Sequence, residues 1–173
     1  MNILISIDSF KGSMTSMQAG NAAKKGILKA VPDAEAVVCP LADGGEGTTD
    51  ALIEGMSGEK IELEVTGPLG ETVSCYYGWL EESRTAVMEM ASAAGLTLVN
   101  EKNPMMATTY GVGEMILDAA KRGCEKVIIG IGGSATNDGG IGMLQAFGYQ
   151  FLDKNRKDVG KGVAALGKVE MII

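Results

Sequence analysis

Apolar and polar positions along the chain follow two regimes that change over near residue 60. Before that point, short apolar runs lead into glycine-containing loops and then into stretches with helical spacing. NILISID predicts a first strand, SFKGS a loop, and Thr15 to Val31 a helix whose apolar face is Ala19, Ala23, Gly26, Ile27, Ala30 and Val31. Thr15 and Gln18 have the spacing of a capping box, in which each satisfies an amide that the first helical turn leaves open. Pro32 and Asp33 end the helix, and EAVVCPLA predicts a second strand running into DGGEGTTDALIEG, so the unit repeats.

From Glu59 the period becomes two. Ile61, Leu63 and Val65 share one strand face, TGPLGE is a turn, and Val73, Cys75 and Tyr77 resume the alternation. A third strand from about Arg84 to Met90 extends the hairpin into an antiparallel meander. A helix follows, with Thr108 or Thr109 as N-cap, Lys121 and Arg122 in its last turn and Gly123 just beyond. Gly111-Val-Gly113 is too short to be a nucleotide fingerprint and follows no strand, so a plain structural role is preferred for it. Met88, Met90, Met105, Met106 and Met115 are expected to fill gaps in or near the core. YQFLD predicts a short strand, and the chain stops inside the apolar, strand-like KVEMII, an odd terminus that would be an aggregation hazard if left unpaired and uncovered, so the chain is expected to be incomplete.

The densest signal is a third strand–loop–helix unit. KVIIGI is short, continuous and rich in branched residues, which predicts a buried strand; IGMLQAFG predicts a helix ending at Gly148. Between them GIGGSATNDGG can bring backbone N–H groups close to a ligand without Cβ obstruction, and the helix start behind it favours an anion. A sharp turn with Asn137 and Asp138 as ordinary turn and cap residues is the plainer reading, but the loop is longer than a bare connection needs. Asp43 and Glu46 have two readings as well: a capping pair for the helix after DGGEG, or carboxylates for a cation. Lys11 lies at the carboxyl end of a strand of parallel type, where open α/β sheets usually bind ligands; a merely solvated lysine is the alternative.

Composition narrows the function classes. With 46% hydrophobic and 21% charged residues, the 173-residue chain is an ordinary globular sequence, and its formal net charge of -7 without a basic cluster argues against nucleic acid. The N-terminus has no basic region and no apolar run long enough for a signal or a membrane span, and Cys39, Cys75 and Cys124 form neither a disulfide framework nor a zinc pattern. A reducing cytoplasm is expected. Histidine is absent, so acid–base chemistry falls to Asp, Glu or Lys.

DSFKGS, LADGGEGT, TGPLG, EMASAAGL, TTYGVGE and IGIGGSATNDGG, in this order over nearly the whole chain, resemble the glycerate kinase family that is distinct from ribokinase-like and GHMP-type kinases. The resemblance implies an α/β fold of two domains with ATP and glycerate meeting between them, magnesium as the metal, and a phosphoglycerate product. On this reading residues 1–60 begin a flavodoxin-like doubly wound domain, incomplete here, and residues 61–173 begin a second mixed α/β domain containing the meander. Family members are considerably longer, so the 173 residues alone are expected to have little or no kinase activity. Their open sheet edge is expected to seek a partner, and a homo-oligomer is one form that would satisfy it.

Phosphoryl transfer needs both reactants positioned, charge neutralised and one proton accepted. The candidate base is Asp8, Asp43 or Asp138. Lys11 suits a phosphate or the glycerate carboxylate, and Asp43 with Glu46 suits magnesium. Gly132 to Gly140, including Gly133, Ser134, Thr136 and Asn137, is the candidate anion cradle, joined by Ser9, Ser13, Gly44 and Gly45. The rival is a dinucleotide (NAD) site, since Gly130 to Ala135 matches G-x-G-x-x-A and Asp153 follows at about the right distance. A non-catalytic binding module is the third alternative.

Overall fold

The computed structural model describes residues 1–10 and 13–173. β1 (Asn2–Ile5) and β2 (Glu35–Val38) pair in parallel, connected by α1 (Ser16–Ala30). α1 starts where the capping box predicts: the Gln18 amide donates to Thr15 Oγ1 at 3.2 Å, and the Thr15 amide donates to the Gln18 side chain at 3.0 Å. Its buried stripe is Ser16, Ala19 and Gly20; Gly26, Ala30 and Val31 of the predicted apolar face are exposed. Gly20 is small because Val38 packs directly over it.

α2 (Thr48–Gly55) leads into the central sheet, formed by β3 (Glu59–Thr66), β4 (Thr72–Leu80), β5 (Thr85–Glu89) and β6 (Lys126–Gly130) in that spatial order. The first three strands form the antiparallel meander, and β6 joins β5 in parallel, Thr85 opposite Lys126 and Glu89 opposite Gly130. Between β5 and β6 come α3 (Met90–Ala94), a single 3-10 turn (Leu96–Leu98) and α4 (Tyr110–Lys121). α5 (Ile141–Ala146), β7 (Phe151–Leu152), α6 (Val163–Leu166) and β8 (Met171–Ile172) complete the chain.

The core lies between the sheet and α4, built on Tyr77, Trp79, Met88, Val112 and Met115. Two polar ties fix the helix across it. Glu114 accepts the Thr66 amide at 2.6 Å, and Tyr77 donates its hydroxyl to Asp118 at 2.8 Å. Gly111 rests on the Thr66 carbonyl, and Gly113 lies where a Cβ would be 2.6 Å from Ala146 Cβ, so both are packing glycines that let α4 lie against β3 and α5.

Two expectations are corrected, and the terminal segment finds a partner. β6 is an edge strand with Val127, Ile128 and the following Ile131 exposed, because β5 covers one of its edges and among the described residues nothing pairs with the other. Met88 and Met115 are fully buried, but Met105 and Met106 are more than half exposed on the loop before α4. The terminal apolar segment is paired: Met171 and Ile172 form β8 against β7. Among the described residues no helix is long and apolar enough to cross a membrane.

A paired substitution tests the packing role of glycine. Alanine is favoured over glycine in a helix by about 1 kcal/mol, so Gly26→Ala, with open space around it, is expected to raise stability by about that amount. Gly111→Ala places a methyl group against backbone and is expected to lower stability by about 2 kcal/mol despite the same propensity gain. Urea midpoints of the two variants against the parent chain measure both.

Candidate active site

Three loops leave the carboxyl ends of parallel strands: one after β1, described over residues 6–10 and 13–15, one of residues 39–47 after β2 and one of residues 131–140 after β6. The second and third touch through their backbones. The Gly132 amide donates to the Gly44 carbonyl at 2.9 Å. A Cβ on Gly130 would lie 2.6 Å from the Gly44 oxygen, and one on Gly132 would lie 2.7 Å from Gly45 Cα. The glycines thus let two loops share one layer. The first loop is tied in by Ser16, whose hydroxyl donates to the Leu41 carbonyl at 3.1 Å.

A cavity of about 850 Å³ opens between the first loop and the face formed by α2, β3 and β4. Ser9 and Ser13 line it on one side, and Glu46, Asp50 and Glu54 bring carboxylates to another. Lys60 lines it too, 3.0 Å from Asp50 and over the Tyr76 ring. Glu89, the last residue of β5, is the buried carboxylate of the lining, only 6% exposed. Burial pushes its carboxyl above the usual range; the Thr49 amide, donating at 2.8 Å, the Thr49 hydroxyl and the Gly47 amide oppose the rise, and the Asp50 charge adds to it.

Asp138 belongs to a separate arrangement. It is 1% exposed and binds the starts of two helices together. One oxygen accepts from the Thr109 and Gly142 amides at 2.8 and 3.2 Å, and the other accepts from Gly140 at 3.0 Å. The Thr109 hydroxyl contacts both oxygens and in turn accepts the Met143 amide at 2.9 Å. Beside it, Ser134 and Thr136 bond each other through their hydroxyls at 2.6 Å, and Asn137 is exposed.

The sequence profile described as the glycerate kinase family matches residues 3–173. The chain belongs to the glycerate kinase family. It is 47% identical to a glycerate kinase of Haemophilus influenzae over 174 aligned residues, which cover 99% of this chain and 46% of that protein. A glycerate kinase of Bacillus subtilis is also 47% identical, and a glycerate 2-kinase of Escherichia coli 44%, with the same coverage. A crystal structure of a Salmonella typhimurium LT2 protein described as glycerate kinase 2 superimposes with a TM-score of 0.91 at 43% identity, over 99% of this chain and 46% of that one. The chain therefore spans slightly less than half the length of these glycerate kinases.

The family motifs sort into two groups. Ser9, Ser13 and Glu46 meet at the cavity, while Asp138 sits at the α4–α5 junction and is absent from the described lining. Asp8 is half-buried and accepts the Ser9 amide at 2.6 Å. Lys11 lies outside the described residues. The expected capping pair is corrected: α2 begins only at Thr48, because Gly44 and Gly47 take left-handed backbone angles, so Asp43 instead accepts the Gly45 amide at 3.0 Å in a local turn. The dinucleotide alternative fails on geometry. Its helix would start within the glycine loop, whereas α5 starts at Ile141 after two left-handed glycines, and Asp153 serves a turn beyond β7, accepting from Asn155 and Lys157. Sequence reading missed Glu89; its signal is a lone carboxylate inside the apolar run TAVMEMASAA.

Asp138→Ala is expected to strand several buried amides at two helix starts and to lower stability by about 3 kcal/mol. Asp138→Asn, which keeps one acceptor oxygen, should lose less than half as much. Denaturant titration of both variants decides whether Asp138 acts chiefly as this double cap.

Proposed function

We propose that these 173 residues supply part of an ATP- and magnesium-dependent glycerate kinase site in which a glycerate hydroxyl attacks the γ-phosphate. The observation that carries this reading is the convergence of the DSFKGS and DGGEGT loops on one cavity, with the GIGGS backbone against the second of them, in a chain of the glycerate kinase family. Ser9 and Ser13 would orient polar groups of the reactants, and the amides of Gly44 and Gly133 with the Ser134 and Thr136 hydroxyls would receive an anionic one. The Gly45 and Gly132 amides, bonded to Asp43 and to the Gly44 carbonyl, hold the loops in shape. Asp138, whose oxygens are taken by protein donors, is assigned to holding this loop, which leaves Asp8 to accept the hydroxyl proton. Asp43 and Glu46, both exposed, fit the one or two carboxylates that magnesium takes beside waters and phosphates. Bound there, the metal would neutralise phosphate charge. A cytoplasmic setting goes with this reading and is supported by cysteines left unpaired.

The test is a coupled ADP-release assay on a polypeptide of the relatives' length that carries these 173 residues. Glycerate-dependent release is expected, and product NMR assigns the phosphorylated oxygen. Lys11→Ala should lower kcat by about 100-fold with an unchanged melting temperature, as when one electrostatic contact to the transition state is removed. Absence of glycerate-dependent release while the parent binds nucleotide would overturn the reading.

A further inference from the structure

We propose that Glu89 is a positioning residue that caps α2 from a distance and thereby fixes the Asp43–Glu46 loop against the carboxyl edge of the central sheet. α2 has no cap of its own: its N-cap is Gly47, which has no side chain to offer. The acceptor its first turn requires comes from Glu89, 40 residues away, which takes the Thr49 amide at 2.8 Å. Glu89 is rigidly held, since every residue of β5 is buried, and it forms part of the cavity wall.

The segment after Glu89 holds the other glycine loop. The Leu96 amide donates to the Gly133 carbonyl at 2.9 Å, and the Ala135 amide donates to the Ala94 carbonyl at 2.8 Å. EMASAAGL therefore grips the second loop at one end and the third at the other, and its small residues admit that contact: Ala91 lies under Gly133, and Gly95 rests on the Ala91 carbonyl. The Thr49 side chain is fully buried beside the cap, and its hydroxyl joins its amide in opposing the rise that burial imposes on the Glu89 carboxyl. Glutamine keeps the acceptor oxygen that the amide needs, so it can replace a cap but not a proton acceptor.

The kinetic arm of the test rests on the phosphoryl-transfer reading; the amide arm does not. Hydrogen exchange at Thr49 and glycerate-dependent ADP release are measured for the parent, Glu89→Gln, Glu89→Asp and Glu89→Ala. Glu89→Gln is expected to keep Thr49 protection and a kcat close to the parent's. Glu89→Ala should lose about 10-fold of that protection, as when a helix cap is removed, with core amides of β4 unaffected. Its kcat should fall by about 100-fold through misplacement of the loop. Glu89→Asp, one methylene short, should behave like the alanine variant and serves if that variant fails to fold. Retained Thr49 protection in both shortened variants overturns the proposal. So does a Glu89→Gln protein that keeps the protection yet is as inactive as Glu89→Ala, since that outcome makes Glu89 the proton acceptor. A parent that turns over no glycerate sinks the kinase reading alone, and the exchange data still decide the cap.

Discussion

Gly44 and Gly45 can lie against Gly130 and Gly132 only because the latter two carry no Cβ atom. An added methyl at Gly130 or Gly132 would fall within 2.7 Å of opposing backbone, and backbone cannot swing aside as a side chain can. This contact sets how near the two strand-end loops come, and the amide of Gly132 seals it with a hydrogen bond to Gly44. The second loop, held in this way, carries Glu46 to the cavity and leads into α2.

The other polar ties divide the labour. Asp138 locks α5 to α4, Glu114 and Asp118 lock α4 to β3 and β4, and Glu89 locks α2 to β5. Each is a carboxylate receiving N–H or O–H donors from a different element, and a buried acceptor of that kind is costly to leave unpaired. In a chain without histidine, acidic side chains thus carry much of the tertiary wiring as well as the chemistry assigned to the cavity.

How far the sequence foretold the structure depends on how far apart the determinants lie. The α1 capping box, the meander, the Gly123 stop and the three strand–loop–helix units were readable because each rests on residues within a few positions of one another. Glu89 was not, since its partner is 40 residues away and the motif around it reads as core. The exposure of β6 was missed for a similar reason: an Ile-Val run announces a strand, but whether it is covered depends on neighbours that periodicity does not encode. Of the two readings of Asp43 and Glu46, the capping pair fails because the left-handed glycines around them postpone the helix. Asp138 was found by its motif, but its tie to Thr109 was invisible to local reading.

The mixed pairing of the central sheet bears on how the chain acquires its structure. β3, β4 and β5 follow one another directly and meet through short turns, so their contacts close small loops at little entropic cost. β6 joins β5 only after α3 and α4 have intervened, and such non-local parallel pairing is slow to form. The meander is thus the natural nucleus, with β6 docking as a late event. Because Gly130 and Gly132 ride on β6, the layer of touching glycines comes into being with the last step of sheet assembly. A folding intermediate arrested before that step would hold the meander and the Glu89 wall of the cavity, yet lack the glycine loop that closes against Gly44.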